Sequence, residues 1–244
     1  VRWCTIFFFF FILCTGVNQG SVLAPALFAV CIDDVIKKCN DSGLGVILVY
    51  ADDIILITRS CSNLQRLLDI VQHELFYLNL VLNAQKCCCL RIGSRFNAPC
   101  ALMVCLDGTP IPWVSRIRYL GIFIDSGRGF RCSIDEAKRK FNRAANSIFS
   151  KLFGSASEEL VLHLLKVKCL PILLYASEAC DLNQANLQSL DFTVIRFGMK
   201  LFRTGNRQLV LDCFDNFNFV LPTAAIPKRR QKFLAKFANV DNAL

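Results

Sequence analysis

Residues 46–57 read Val-Ile-Leu-Val-Tyr-Ala-Asp-Asp-Ile-Ile-Leu-Ile. Two apolar, β-branched runs flank a short polar centre, Ala51-Asp52-Asp53. That pattern predicts a hairpin with two adjacent carboxylates at or near its tip. Adjacent carboxylates in an apolar hairpin are costly to hold unless something answers their charge. Divalent cations do so: Mg²⁺ takes oxygen ligands, commonly one or two carboxylates together with substrate phosphates. In a two-metal site the ions sit about 3.5–4 Å apart and stabilise both the attacking and the leaving oxygen of a phosphoryl displacement. An Asp-Asp turn with no chemical role fits the pair alone equally well.

Upstream of the hairpin, Gly16 to Pro25 reads GVNQGSVLAP, a glycine-rich loop turning into a helix from about Pro25 to Lys38. Leu27, Val30, Cys31, Val35 and Ile36 supply apolar positions near helical spacing, and Asn40 to Gly45 breaks the pattern. A second acidic doublet, Asp33-Asp34, falls inside that helix. Side chains there diverge by about 100° per residue, which favours a surface role. Downstream, Ser62 with Gln65 resembles a capping box. Leu64, Leu67, Leu68, Val71, Leu75 and Leu78 follow at helical spacing, so a packed helix is expected over 62–78. Short strands are expected at 80–83, 87–92, 102–106 and 117–124, with turns at Asp107-Gly108 and Pro110 to Pro112.

After Gly127 the pattern becomes helical. Ile134, Phe141, Ala145, Ile148 and Leu152 form one stripe, and further helices are expected at 157–169, 172–180, 184–202, 207–214 and 223–238, punctuated by Pro171 and Pro222. No internal repeat is present. The sequence therefore divides into a mixed part, 1–127, and a helical part, 128–244, with the boundary near 126–132.

Composition bounds the rest. Hydrophobic residues make up 54% of the 244, mean hydropathy is +0.44 and only 19% are charged. So apolar a chain must bury surface, which excludes intrinsic disorder. Net charge is +9 and unevenly placed: residues 1–127 carry ten Lys+Arg against nine Asp+Glu, residues 128–244 eighteen against ten. The second part would attract a polyanion such as nucleic acid, although solvated helix faces explain the charge as well. The 14 cysteines include no C-x-x-C pair, and neither His73 nor His163 stands near one. Zinc needs closely paired ligands, so intracellular thiols are the expectation. Ile6 to Leu13, with Phe7 to Phe11 in a row, is too short to span a bilayer, which needs about 20 residues. It also lacks a signal-peptide cleavage pattern, so a buried strand is expected there.

The tetrapeptide Tyr50-Ala51-Asp52-Asp53 between apolar strands resembles the metal-binding motif of reverse transcriptases, in the alanine form typical of the non-LTR retrotransposon (LINE-like) branch. Gly16 to Pro25 resembles that branch's G-V-x-Q-G-S-x-L-S-P segment. Leu82-Asn83 with Lys86 matches its L-N-x-x-K segment, and Tyr119-Leu120-Gly121 its primer-supporting strand. Pro171 to Glu178 looks like its P-x-L-L-Y-G-x-E segment, with Ala176 where a glycine is usual. Four motifs in order carry the resemblance over residues 16–125, and it continues more loosely to about 236.

The resemblance implies an α+β fold: a partial palm of antiparallel sheet packed with helices over 1–127, then an α-helical thumb over 128–244, with the fingers absent. It implies an RNA-directed DNA polymerase working with Mg²⁺ (or Mn²⁺), deoxynucleoside triphosphates, an RNA template and a DNA primer. Asp52 and Asp53 would be its catalytic metal ligands. Tyr50 would pack beneath them, Gln19 and Gly20 would lie against the incoming nucleotide and templating base, and Lys86 near the leaving pyrophosphate. Tyr119, Leu120 and Gly121 would grip the primer. The family's third carboxylate lies upstream of the Gln19 loop, yet no acid occurs before Asp33. The expectation is a fragment, inactive alone, that needs a missing N-terminal part of the same polyprotein. It would act inside the cell, in nucleus or cytoplasm, unsecreted and without a membrane. The alternative function is a non-catalytic nucleic-acid-binding remnant of a decayed element. A secreted or membrane protein anchored by Ile6 to Leu13 is the remaining rival.

Overall fold

The hairpin forms where the sequence predicts it. In the structure, a computed structural model that describes residues 4–9, 11–13, 22–152 and 154–239, strands β3 (Gly45–Tyr50) and β4 (Asp53–Thr58) pair antiparallel, Tyr50 opposite Asp53 and Gly45 opposite Thr58. These strands join three others. The full series before the helical part is β1 (Cys4–Phe9), β2 (Phe11–Leu13), α1 (Ala24–Asp41), β3, β4, α2 (Cys61–Tyr77), β5 (Leu80–Leu82), β6 (Cys88–Ile92), β7 (Met103–Val104), β8 (Pro110–Ile111), β9 (Trp113–Val114), β10 (Arg116–Tyr119), β11 (Ile122–Asp125) and β12 (Arg131–Ser133). The main sheet has the order β3-β4-β1-β6-β9. β1 pairs antiparallel with both β4 and β6, whereas β6 pairs parallel with β9, Cys89 opposite Trp113. Phe7, Phe8 and Phe9 thus lie in an interior strand of that sheet, while Phe11 opens β2, which pairs with β5.

Chain contacts divide the molecule into two compact units, Val1–Arg118 with Ile124–Phe130, and Tyr119–Phe123 with Arg131–Leu244. In the first unit α1 and α2 cover the sheet. Ile54, Ile55 and Leu56 of β4 are all buried, so the strand beside the carboxylates is covered on both faces. Ile54 and Leu56 share a core with Leu64, Leu67, Leu68, Val71 and Leu75 of α2, the helical stripe read from the sequence. Burying each such side chain stabilises by about 1.5–3 kcal/mol.

Two local expectations are corrected in this unit. The α2 cap is Ser60, whose hydroxyl accepts the Asn63 N–H at 3.1 Å, rather than Ser62 paired with Gln65. Gln65 instead donates to the Val104 carbonyl at 2.7 Å and accepts the Val104 N–H at 3.0 Å, tying α2 to β7. In α1 the buried face is Ile32, Val35 and Cys39, while Leu27, Val30 and Cys31 stay exposed. A helix apolar nearly all round offers several stripes, and periodicity alone does not choose among them.

The second unit is helical: α3 (Asp135–Leu152), α4 (Glu158–Leu164), a π-helical stretch Leu165–Cys169 running into α5 (Leu170–Leu173), α6 (Gln184–Leu201), α7 (Arg207–Asn216) and α8 (Pro222–Ala238). Phe141, Ala145, Leu165, Val194, Val210 and Phe214 meet in its core. Gly198 permits that packing, because a Cβ there would come within 2.6 Å of both Val210 and Phe214. The helix expected over 172–180 stops at Leu173 and gives way to turns, with Ala176 at φ +56°. The strand expected over 117–124 is likewise broken, at Leu120-Gly121, where both residues take positive φ. No disulfide joins the described cysteines. Among the described residues no helix is long and apolar enough to cross a membrane.

Candidate active site

The two-residue connection of the β3–β4 hairpin is Ala51-Asp52. Ala51 takes φ +51°, a left-handed conformation that side chains with a Cβ adopt only at a cost. Strain of that kind, retained beside a pair of carboxylates, is the pattern functional sites show. Asp52 is exposed on the turn and Asp53 is half-buried at the first position of β4. Burial, and then the neighbouring Asp52 charge, push the Asp53 carboxyl above the usual carboxylate range. A cation placed at the tip would offset both effects. Among the described residues no cluster of three or more His, Cys, Asp or Glu side chains exists that could hold a metal by itself. Two adjacent carboxylates would suit a hard cation that shares its remaining positions with phosphate and water.

The other expected site residues distribute unevenly. Tyr50 ends β3 opposite Asp53 and is 62% exposed. Lys86 is exposed at the end of a 3₁₀ turn, Ala84–Lys86, in the same unit as the hairpin. Gln19 and Gly20 lie outside the described residues. Tyr119, Leu120 and Gly121 belong to the second unit, where they form a tight turn with Leu120 at φ +44° and Gly121 at φ +86°. Asp33 and Asp34 are both exposed on α1, and Asp33 forms an ion pair with Lys37 one turn on. Neither approaches the environment that distinguishes Asp53.

Comparison with known proteins decides what the hairpin belongs to. A family model described as reverse transcriptase (RNA-dependent DNA polymerase) matches residues 8–124, a span that contains the carboxylates and Lys86. Residues 8–124 are thus similar to reverse transcriptases. The chain is 30% identical over 136 residues to the RNA-directed DNA polymerase from mobile element jockey of Drosophila funebris, which is 52% of this chain and 15% of that protein. Its counterpart from Drosophila melanogaster is 30% identical over 140 residues, with coverage of 53% and 15%. The retrovirus-related Pol polyprotein from type-2 retrotransposable element R2DM of Drosophila melanogaster is 30% identical over 138 residues, with coverage of 50% and 13%. The matched segment is thus similar to polymerases of non-LTR retrotransposons, and the chain spans only a small part of the length of the curated relatives it matches.

One residue in the second unit was not singled out from the sequence. Tyr175, in the segment Pro171 to Glu178, donates its hydroxyl to the Leu120 carbonyl at 2.9 Å. Its motif was visible, but nothing local in a motif announces a contact to a turn far back in the chain.

Proposed function

We propose that this chain is part of an RNA-directed DNA polymerase of a non-LTR retrotransposon, acting within a longer polyprotein. The observation that carries this reading is the adjacent carboxylate pair at the strained tip of an apolar hairpin, inside the span that matches the reverse transcriptase family. Asp52 and Asp53 would hold Mg²⁺ or Mn²⁺, and when bound the metal supplies charge stabilisation for the oxygens of nucleotidyl transfer. The chain's own part is to fix those carboxylates. β4 holds Asp53 in register opposite Tyr50, and the Ile54 and Leu56 side chains bury the strand that carries it.

Around that centre, Gln19 and Gly20 would face the nucleotide and templating base, Lys86 the leaving pyrophosphate, and Tyr119-Leu120-Gly121 the primer. The first unit would serve as palm and the second as thumb. Residues 1–32 contain no Asp or Glu, so a third carboxylate would come from outside them, and these 244 residues alone would not extend a primer. The test is primer extension on an RNA template by the longer protein with Mg²⁺ and deoxynucleoside triphosphates. Product that requires template, metal and residues 46–57 is expected; none from a folded protein overturns the reading.

A second reading, nucleic-acid binding without catalysis, is favoured by α8. Residues 228–239 are all exposed. Within the basic run noted in the sequence, Arg229 and Arg230 are engaged by Glu178 and Asp181 at 3.0 and 3.3 Å. Lys228, Lys232 and Lys236 instead repeat every four residues along the exposed helix, beside Phe233 and Phe237, whose rings stack at 6.1 Å. Cations flanked by exposed rings suit a phosphate backbone and its bases.

A further inference from the structure

We propose that Tyr175 is a positioning residue that fixes the Tyr119-Leu120-Gly121 turn in the shape it presents to the primer, an inference that rests on the polymerase reading above. The turn needs such a device. Leu120 at φ +44° and Gly121 at φ +86° are two left-handed residues in succession, and the first carries a branched side chain. Backbone of this kind persists only where surrounding groups hold it. Tyr175 holds it in two ways. Its hydroxyl donates to the Leu120 carbonyl at 2.9 Å, and its ring lies across Gly121, where an added Cβ would come to 3.3 Å from Cε1. The turn adjoins a cavity of about 440 Å³ bounded by Gly121, Ile122, Phe123, Pro171 and Leu190 as well as Tyr175. Close packing does not fill that space, so the shape of the turn depends more on polar anchoring.

Tyr175 is delivered by a loop with its own locks. The Ser177 hydroxyl, itself buried, donates to the Leu174 carbonyl at 2.8 Å. The Ala179 and Cys180 amides both donate to the Ala176 carbonyl, at 3.1 and 3.2 Å. Glu178 is paired with Arg229 of α8. Yet Tyr175 is 57% exposed. A side chain so little buried contributes little to the core, and a loop braced at three points around it is explained by the carbonyl it holds.

Tyr175→Phe separates the two contacts, because it keeps the ring over Gly121 and removes only the hydroxyl. In the full-length protein copying an RNA template, the apparent KM for primer–template should rise about threefold to tenfold, the scale of one net hydrogen bond. The KM for deoxynucleoside triphosphate should stay at the wild-type value, and the melting temperature should fall by no more than a few degrees. Tyr175→Ala in the 244-residue chain should speed amide hydrogen exchange at Gly121 and Ile122, a readout that needs no activity. An unchanged primer KM in a folded Tyr175→Phe protein, an equal rise in both KM values, or unchanged exchange in Tyr175→Ala would each overturn the inference. If the wild-type protein makes no template-dependent product, the polymerase reading fails instead, and the exchange experiment still decides whether Tyr175 holds the turn.

Discussion

Gly45→Ala tests how tightly the carboxylate hairpin is built. Gly45 opens β3 opposite Thr58, and a Cβ there would meet the Ile57 carbonyl oxygen at 2.4 Å and Thr58 Cγ2 at 2.7 Å. Ordinary contacts between such atoms are about 3.5–4.0 Å, so the overlap is about 1 Å against backbone and against a residue only 2% exposed. Neither neighbour can yield cheaply. The Thr58 hydroxyl donates to the Ser60 carbonyl at 2.9 Å, and Ser60 caps α2. Overpacking of this kind costs about 1–3 kcal/mol, against about 0.5–1 kcal/mol regained by replacing a glycine in a strand. The clash wins by up to about 2.5 kcal/mol, a fall in melting temperature of up to about 10 °C for a chain of this size. Gly129→Ala, where no atom lies within 4 Å, should be neutral or slightly stabilising. Adding Thr58→Ser to Gly45→Ala removes the methyl contact but leaves the carbonyl, so the coupling between the two changes should recover less than half of the loss. Thermal unfolding followed by circular dichroism reads wild type, Gly45→Ala, Gly129→Ala, Thr58→Ser and the double variant. A Gly45→Ala protein that melts at or above wild type refutes the reasoning.

Other perturbations follow from the same structure. Ala176→Gly should stabilise by up to about 1 kcal/mol, because the residue sits at φ +56° and a Cβ is disfavoured there; chemical denaturation would show it, and a loss would contradict it. Asp53 binds its proton more tightly folded than unfolded, so its contribution is fully present below the ordinary value of 3.8 and is lost as pH rises through the higher folded value. Asp53→Asn should therefore melt higher than wild type at neutral pH in metal-free buffer and flatten the decline just above 3.8; a lower melting point would count against the like-charge cost. The chain should bind primer–template with affinity that falls as salt rises, and replacing Lys228, Lys232 and Lys236 with alanine should lower the slope of log K against log salt by up to about 3. Arg229→Ala or Arg230→Ala, already engaged by carboxylates, should change that slope less, and equal effects from both groups would remove α8 from the interface.

Much of the first unit was legible because its signals are local. Leu64 to Leu75 is a clean helical stripe, and all five of its inner residues are buried. The hairpin announced itself by two β-branched runs around a polar pair. Less was legible where tertiary partners decide. The parallel pairing of Cys89 with Trp113 leaves no trace in either segment. Ser60 and Ser62 are equally good caps by composition, and the choice fell to the residue already in extended conformation. In α1 the core selected Ile32, Val35 and Cys39 from a helix with apolar residues on most sides. The breaks at Leu120-Gly121 and after Leu173 escaped periodicity because both lie in apolar runs. At the site, the carboxylates were readable as a motif, whereas the exposure of Tyr50 and the reach of Tyr175 to Leu120 depend on geometry no motif encodes.

The most direct test of the central claim compares the two acidic doublets in a protein extended upstream. Asp52→Asn keeps the shape of the side chain and removes the charge that would hold the metal, so template-dependent primer extension with Mg²⁺ should fall nearly to background. Asp33→Asn loses only an exposed ion pair with Lys37 and should stay within a few fold of wild type. Asp34→Asn, also exposed, should behave the same way. With all proteins shown to be folded by circular dichroism, loss of extension in Asp52→Asn alone is the predicted result. Activity retained in Asp52→Asn and abolished in Asp33→Asn would contradict it.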